Sequence, residues 1–209
     1  MSEYEIEPIP GLPGLLPAGE NILWQGSPEW RSLARTAFHT RLIAGYFVAL
    51  TAIALVFADG SYSGVAITAT LGVIGVALLH LIAWGSARTT IYTLTNRRIV
   101  LRIGIAVPKC INLPLAMIGS VDLAARPDGT GDLPLTLLGT PRLGFVALWP
   151  HARPMKISKP QPMLRAVPGA ANVAALIART CLAVVPEGRT APVESPARPL
   201  PVFAEAQAA

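Results

Sequence analysis

From Leu42 to Ala58 and again from Gly60 to Ala87 the chain runs through apolar and small residues without a formal charge, and the single acid Asp59 separates the two runs. About 20 consecutive apolar residues cross a hydrocarbon core roughly 30 Å thick. The second run meets that length, and its span is expected over Val65–Trp84. The first has 17 residues, about 26 Å of helix at ~1.5 Å each, and needs a turn borrowed from Phe38–Arg41. Small residues recur along one face of the second run at Gly64, Thr68 and Gly72, and Gly45 and Ala49 make a similar patch in the first. Such patches let helix backbones approach closely. They serve packing within the hairpin or a homodimer face.

Beyond Ala87 the period changes from helical to alternating. Arg88–Thr95 is dense in β-branched residues, Asn96-Arg97 makes a turn, and Arg98–Ile103 alternates up to Gly104, which predicts a hairpin. Further strands are expected at Lys109–Leu113, Ile118–Leu123, Leu135–Leu138, Gly144–Trp149 and Met155–Ser158, punctuated by prolines and glycines. One more short strand, Asn21–Gly26, precedes the apolar runs, and Gly169–Val184 reads as a helix with Val173, Leu176, Ile177 and Leu182 near one face. Between strand and membrane, Glu29–Arg35 follows Pro28 in helical register, with Trp30, Leu33, Ala37 and Phe38 on one side. It is an interfacial helix running into the first span, or a cytosolic extension of that span.

These elements define a membrane α-helical hairpin joined to a mainly β, α+β domain: a small antiparallel barrel or sandwich with a C-terminal helix. The expected division is an irregular Pro/Gly-rich segment over 1–20, the first strand and interfacial helix over 21–41, and the hairpin over 42–87. The β domain covers 88–166, the last helix 167–184 and a disordered tail 185–209.

Charge sets the orientation. Arg31, Arg35 and Arg41 precede the first run, Arg88, Arg97, Arg98 and Arg102 follow the second, and the loop Asp59–Ser63 has no Lys or Arg. The positive-inside bias then puts both termini in the cytoplasm, in a multi-pass protein of the cytoplasmic membrane. Charged residues make up 14% of the 209-residue chain, fewer than in an ordinary soluble protein, and the net charge is +5. Residues 88–121 and 133–181 carry bases and no acid. Such a surface is attracted to an anionic lipid leaflet. Without a helix-turn-helix or aromatic RNA-binding signature, nucleic acid is not the expected target. Cys110 and Cys181 lack CxxC spacing, so neither a disulfide nor a metal site is expected.

No nucleophile–base motif, phosphate loop or metal-ligand cluster is visible, so the chain is expected not to be an enzyme and to need no cofactor. His80 is the sharpest single residue, an ionisable group inside the second span. Its setting, His80-Leu81-Ile82-Ala83-Trp84, resembles the intramembrane histidines that ligate bacteriochlorophyll in antenna polypeptides. The alternative is packing or headgroup contact about one turn from the cytosolic border. Trp30 and Trp84 suit the interfacial aromatic belt, and Trp149 is expected in the barrel core.

The segment Ile91-Tyr92-Thr93-Leu94-Thr95-Asn96-Arg97-Arg98 resembles the opening hairpin of bacterial membrane-anchored pleckstrin-homology-like (PH-like) domains, in which a transmembrane hairpin precedes a Y-x-(I/L)-T-x-x-R element. Pro10–Arg41, PGLPGLLPAGENILWQGSPEWRSLARTAFHTR, followed by Tyr46-Phe47, resembles more narrowly the PuhB family of photosynthetic complex assembly proteins of purple bacteria, and the similarity runs from about residue 8 to 184. The resemblance implies a PH-like fold split by the hairpin, of seven strands and one helix, and a non-catalytic role in assembling the photosynthetic reaction centre by docking its subunits at the cytoplasmic face. Arg97, Arg98 and Arg102, with Arg31 and Arg35, are the candidates for contact with a partner or with anionic lipid. A lipid- or bacteriochlorophyll-binding module and a generic membrane-anchored PH-like protein are the alternatives.

Overall fold

In the computed structural model the described residues are 9–139 and 143–184; the expected tail over 185–209 lies outside them. Strands β1 (Ile22–Gly26), β2 (Ile91–Thr95), β3 (Arg98–Ile103) and β4 (Lys109–Pro114) form one antiparallel sheet in sequence order. The β2–β3 turn falls at Asn96-Arg97, with Leu94 opposite Ile99. The polypeptide between β1 and β2 holds three helices: α1 (Trp30–Thr36), α2 (Thr40–Val56) and α3 (Ser63–Thr89). The sheet is therefore closed by residues about 65 positions apart, Gly26 pairing with Tyr92.

A second sheet is built around β7 (Thr130–Leu137). On one side β5 (Ile118–Val121) and the two-residue β6 (Ala124–Ala125) pair with successive parts of β7, as one strand interrupted at Asp122-Leu123. On the other side lies β8 (Met163–Pro168). Helix α5 (Ala170–Val184) packs against β5, β7 and the 3₁₀ turn Leu115–Met117. The core between the sheets gathers Tyr92, Leu94, Ile99, Leu101, Leu133 and Leu135, closed by Val173 and Ile177 of α5. Each such side chain contributes roughly 1.5–3 kcal/mol on burial. Gly131 is needed for this closure: a Cβ there would sit 2.6 Å from the Ala170 Cβ and 3.1 Å from the Ala124 carbonyl oxygen.

The first sheet is buried on its outer face as well. Gln25 donates to the Pro10 carbonyl (2.7 Å) and to the Thr93 hydroxyl (3.0 Å), while Thr95 donates to buried Glu20 (2.8 Å). The Pro/Gly-rich N-terminal segment thus lies across β1–β3, with Leu12 fully buried. Irregular backbone suits this task, because the segment adds no strand and its prolines need no ladder donors.

Four expectations are corrected here. Gly144–Trp149 is not a strand: Phe145–Leu148 makes one helical turn, α4, in which Leu148 is buried and Val146 exposed. So short an apolar run carries no decisive period. Met155–Ser158 is not a strand either; Met155 has positive φ, and both it and Ile157 are exposed. The free side of β7 is taken instead by Met163–Pro168, whose residues are buried on both faces and so show no alternation. Trp149 is not in the core but half exposed, edge-on to Phe38 at 5.5 Å between ring centres. Leu182 of α5 is exposed because Cys181, four residues after Ile177, takes the core-facing position.

Over most of their length helices α2 and α3 stand apart from the core between the sheets. Packed on each other, they expose Leu42, Val48, Ile67, Leu71 and Val73. Gly72 makes the closest approach, where an added Cβ would meet the Phe47 Cβ at 2.7 Å, whereas Gly45 and Gly64 face open space. With 27 residues, α3 is long and apolar enough to cross a membrane, and only 6% of its apolar window is buried, unlike a core helix of a soluble domain. Helix α2 reaches comparable length only together with α1, from which it is bent by 56°. The expected interfacial helix therefore does not run straight into the first apolar run. His39 at the junction adopts a left-handed conformation (φ 51°), and Leu33 and Ala34 of α1 are buried by Ala83, Ala87 and Ala166.

Candidate functional site

The arginines nominated from the sequence fall into two groups. Those of the β2–β3 hairpin are not a loose outward cluster. Arg98 forms an ion pair with Glu20 at 2.8 Å and 3.2 Å, Arg97 reaches the Ala18 carbonyl at 3.4 Å, and Arg102 donates to the Thr89 carbonyl at 2.9 Å. Burial raises the Glu20 carboxyl's pKa, but hydrogen bonds from Arg98 and Thr95 and the charges of Arg98 and Arg97 outweigh it and hold the net value below normal. Arg98 thus staples the N-terminal segment to the sheet. Only Arg97 is exposed.

Arg31 and Arg35 occupy a different place. They line a groove of about 400 Å³ between α1, α2 and α3, together with Trp30, Arg41 and His80. Local chemistry fixes α1 there: Glu29 caps its N-terminus, accepting from the Arg31 and Ser32 amides at 3.0 and 2.6 Å. The Glu29 amide is in turn anchored on the Ala166 carbonyl of β8 at 2.8 Å. Arg31 stacks over the Trp30 ring at 5.0 Å, and Arg35 pairs with Asp128 at 2.8 Å. Among the described residues Arg31 and Arg41 have no carboxylate partner.

His80 packs edge-on to Trp30, and its Nδ1 donates to the Val76 carbonyl at 2.8 Å. One histidine is a weak metal site by itself, and the described residues contain no cluster of three metal-ligating side chains.

Beneath α1, where helices meet sheets, lies a polar network that the sequence reading missed. His151 is fully buried, its Nδ1 2.7 Å from the Tyr92 hydroxyl and its Nε2 3.2 Å from that of Thr90 at the end of α3. The Tyr92 hydroxyl also accepts the Arg165 amide at 3.1 Å. Arg165 donates through Nη1 to the Pro150 carbonyl at 3.1 Å, while its buried Nε has no partner among the described residues. Asp132 accepts from the Ala166 amide at 2.8 Å and is paired with Arg126. Burial, helped by the charge of Arg165, holds the His151 imidazole down to about 3, so it is neutral near pH 7. These hydrogen bonds tie β2, β7, β8 and the end of α3 into one arrangement. Arg165, a charge within an apolar strand, was its only mark in the sequence.

Neither place brings together a nucleophile, a base and an oxyanion donor. What the geometry offers is binding: a basic groove at the foot of an exposed apolar helix pair, on a rigid two-sheet domain. Comparison with known proteins gives the family of the chain. The family model described as "Bacterial PH domain" matches residues 40–180, which take in α2 and α3 as well as most of the two sheets. A protein of Rhodobacter capsulatus, named "Uncharacterized 23.7 kDa protein in puhA 5'region", is 37% identical over 193 residues, covering 88% of this chain and 90% of its own. No solved structure matches.

Proposed function

The chain belongs to the bacterial PH-domain family, and from that premise we propose that it is a non-catalytic assembly factor for the photosynthetic reaction centre, held at the cytoplasmic face of the inner membrane. The observation that carries this reading is the relationship to the Rhodobacter capsulatus protein, whose name sets it in the region 5' of puhA. That context agrees with the resemblance of Pro10–Arg41 to the PuhB family of assembly proteins.

The anchor is α2 with α3, crossing as a hairpin. Its exposed leucines, isoleucines and valines suit lipid, and arginines lie at the outer end of each helix (Arg31, Arg35 and Arg41; Arg88). Both termini are then cytoplasmic, and the two sheets stand directly on the membrane surface. Rigidity serves the role, since a platform fixed by the His151 network presents one surface to an incoming subunit. Arg97, exposed at the β2–β3 turn, is the candidate contact on that platform.

Affinity purification of the full chain from mildly solubilised photosynthetic membranes tests this reading. Reaction-centre polypeptides are expected to co-purify at levels above a tagged, unrelated membrane protein of similar charge. Recovery no better than that control would refute it.

A further inference from the structure

The basic groove does not end at the arginines. Ala44 of α2 and Val76 of α3 line it, and the same two residues line a second groove, of about 660 Å³, that continues along the helix pair. Apart from Thr51, whose hydroxyl is turned to the Phe47 carbonyl, this second groove is apolar, walled by Phe47, Val48, Leu55, Gly72 and Val73 among others. Each volume lies within the ~300–1,000 Å³ typical of small-molecule sites. A charged compartment that opens through two shared residues into a long apolar one matches an anionic amphiphile.

We propose that this composite groove binds one anionic phospholipid, its phosphate held by Arg31 and Arg41 and an acyl chain laid between α2 and α3. The inference rests on the reading that the helix pair lies in the membrane. Arg31 and Arg41 carry the unneutralised charge, because Arg35 is engaged by Asp128. Stacking on Trp30 fixes the Arg31 guanidinium near the groove wall, and the 56° bend at His39 turns α1 away from the α2 direction while Arg31, Arg35 and Arg41 still line one groove. Gly72 and Phe47, which meet closely across the helix pair, both line the apolar compartment. Among the described residues no carboxylate lines either compartment. An anionic headgroup is thereby favoured over a zwitterionic one. This is a specific site and not the general pull of a basic domain toward a charged leaflet, because it depends on two named arginines and a shaped chain channel.

The test uses the full chain, reconstituted in vesicles of phosphatidylcholine with a minor fraction of phosphatidylglycerol, then purified in mild detergent. Bound lipid is identified by mass spectrometry. The parent is expected to retain about one phosphatidylglycerol per chain. Arg31→Gln with Arg41→Gln should lower that occupancy about tenfold, while Arg97→Gln, which also removes a base but lies outside the groove, leaves it unchanged. Ala77→Phe, which obstructs the apolar compartment, should lower occupancy while both arginines remain.

Equal loss in the Arg97→Gln variant would overturn the proposal in favour of diffuse surface charge. Retention of phosphatidylcholine as readily as phosphatidylglycerol would overturn it in favour of unspecific lipid packing. Displacement of the lipid by glycerol phosphate, with Ala77→Phe silent, would reduce the site to a phosphate pocket and refute the acyl channel. Resistance to alkaline extraction is measured in parallel. A chain that the alkaline wash removes refutes the membrane reading together with the site, whereas one that stays in the membrane without selective lipid refutes the site alone.

Discussion

Replacing His151 by Gln should flatten the acid side of the protein's stability profile. His151 is fully buried, hydrogen-bonded through both ring nitrogens, and held neutral down to about pH 3, against 6.5 for an unperturbed imidazole. Unfolding exposes the ring, which then takes up a proton near pH 6.5 that the folded state does not accept. Stability from this group is therefore complete above pH 6.5 and drains as the pH falls toward 3. The slope is about 1.4 kcal/mol per pH unit. Between pH 7 and pH 5 the parent should lose about 2 kcal/mol, equivalent to roughly 5–8 °C in Tm for a domain of this size. Glu20 and Asp128, both held below their ordinary carboxyl values, add their own acid losses only at lower pH. Thermal melts of the full chain in micelles from pH 7.5 to 5 measure the slope. The Gln variant should start lower, because it forfeits part of the network, and should change less across this window. His39 and His80 are present in both proteins, so the difference between the two slopes isolates His151. Parallel slopes for parent and variant would refute the reasoning.

Other positions give sharper structural tests. Gly131→Ala places a Cβ 2.6 Å from that of Ala170 and should cost about 1–3 kcal/mol through displacement of α5, read as a lowered Tm. Glu20→Gln removes the charge that Arg98 answers from a half-buried position, and should cost about 1–3 kcal/mol while making residues 9–21 more rapidly cleaved in limited proteolysis. His80→Leu should leave pigment absorbance of purified preparations unchanged; loss of a stoichiometric bacteriochlorophyll band would revive the pigment-ligand reading instead. Arg97→Glu alters an exposed side chain, so its melting should stay within about 0.5 kcal/mol of the parent, whereas co-purification of reaction-centre polypeptide should fall severalfold.

Features carried by local pattern were legible in the sequence. The two uncharged runs mark α2 and α3, and the β-branched stretch broken at Asn96-Arg97 marks the β2–β3 hairpin, although Arg88 and Thr89 prolong α3 and β2 begins only at Ile91. Features settled by long-range packing were not. Strand β8 hides because both its faces are buried, leaving no alternation to see, while Met155–Ser158 alternates convincingly and finds no partner strand. The basic groove was half legible. Arg31, Arg35 and His80 were singled out separately, but only the bend at His39 and the close packing of Gly72 on Phe47 put them around one cavity with Arg41. Arg98 shows the opposite limit: its place beside a turn suggested an outward contact, and the acid that claims it lies 78 residues earlier.

The most direct test of the assembly role is the near-infrared absorbance of membranes from a strain lacking this gene, compared with its parent and with the restored strain. The account predicts selective loss of the reaction-centre bands, recovered on restoration of the intact chain. Reaction-centre bands of parental height in the deletion strain would contradict it.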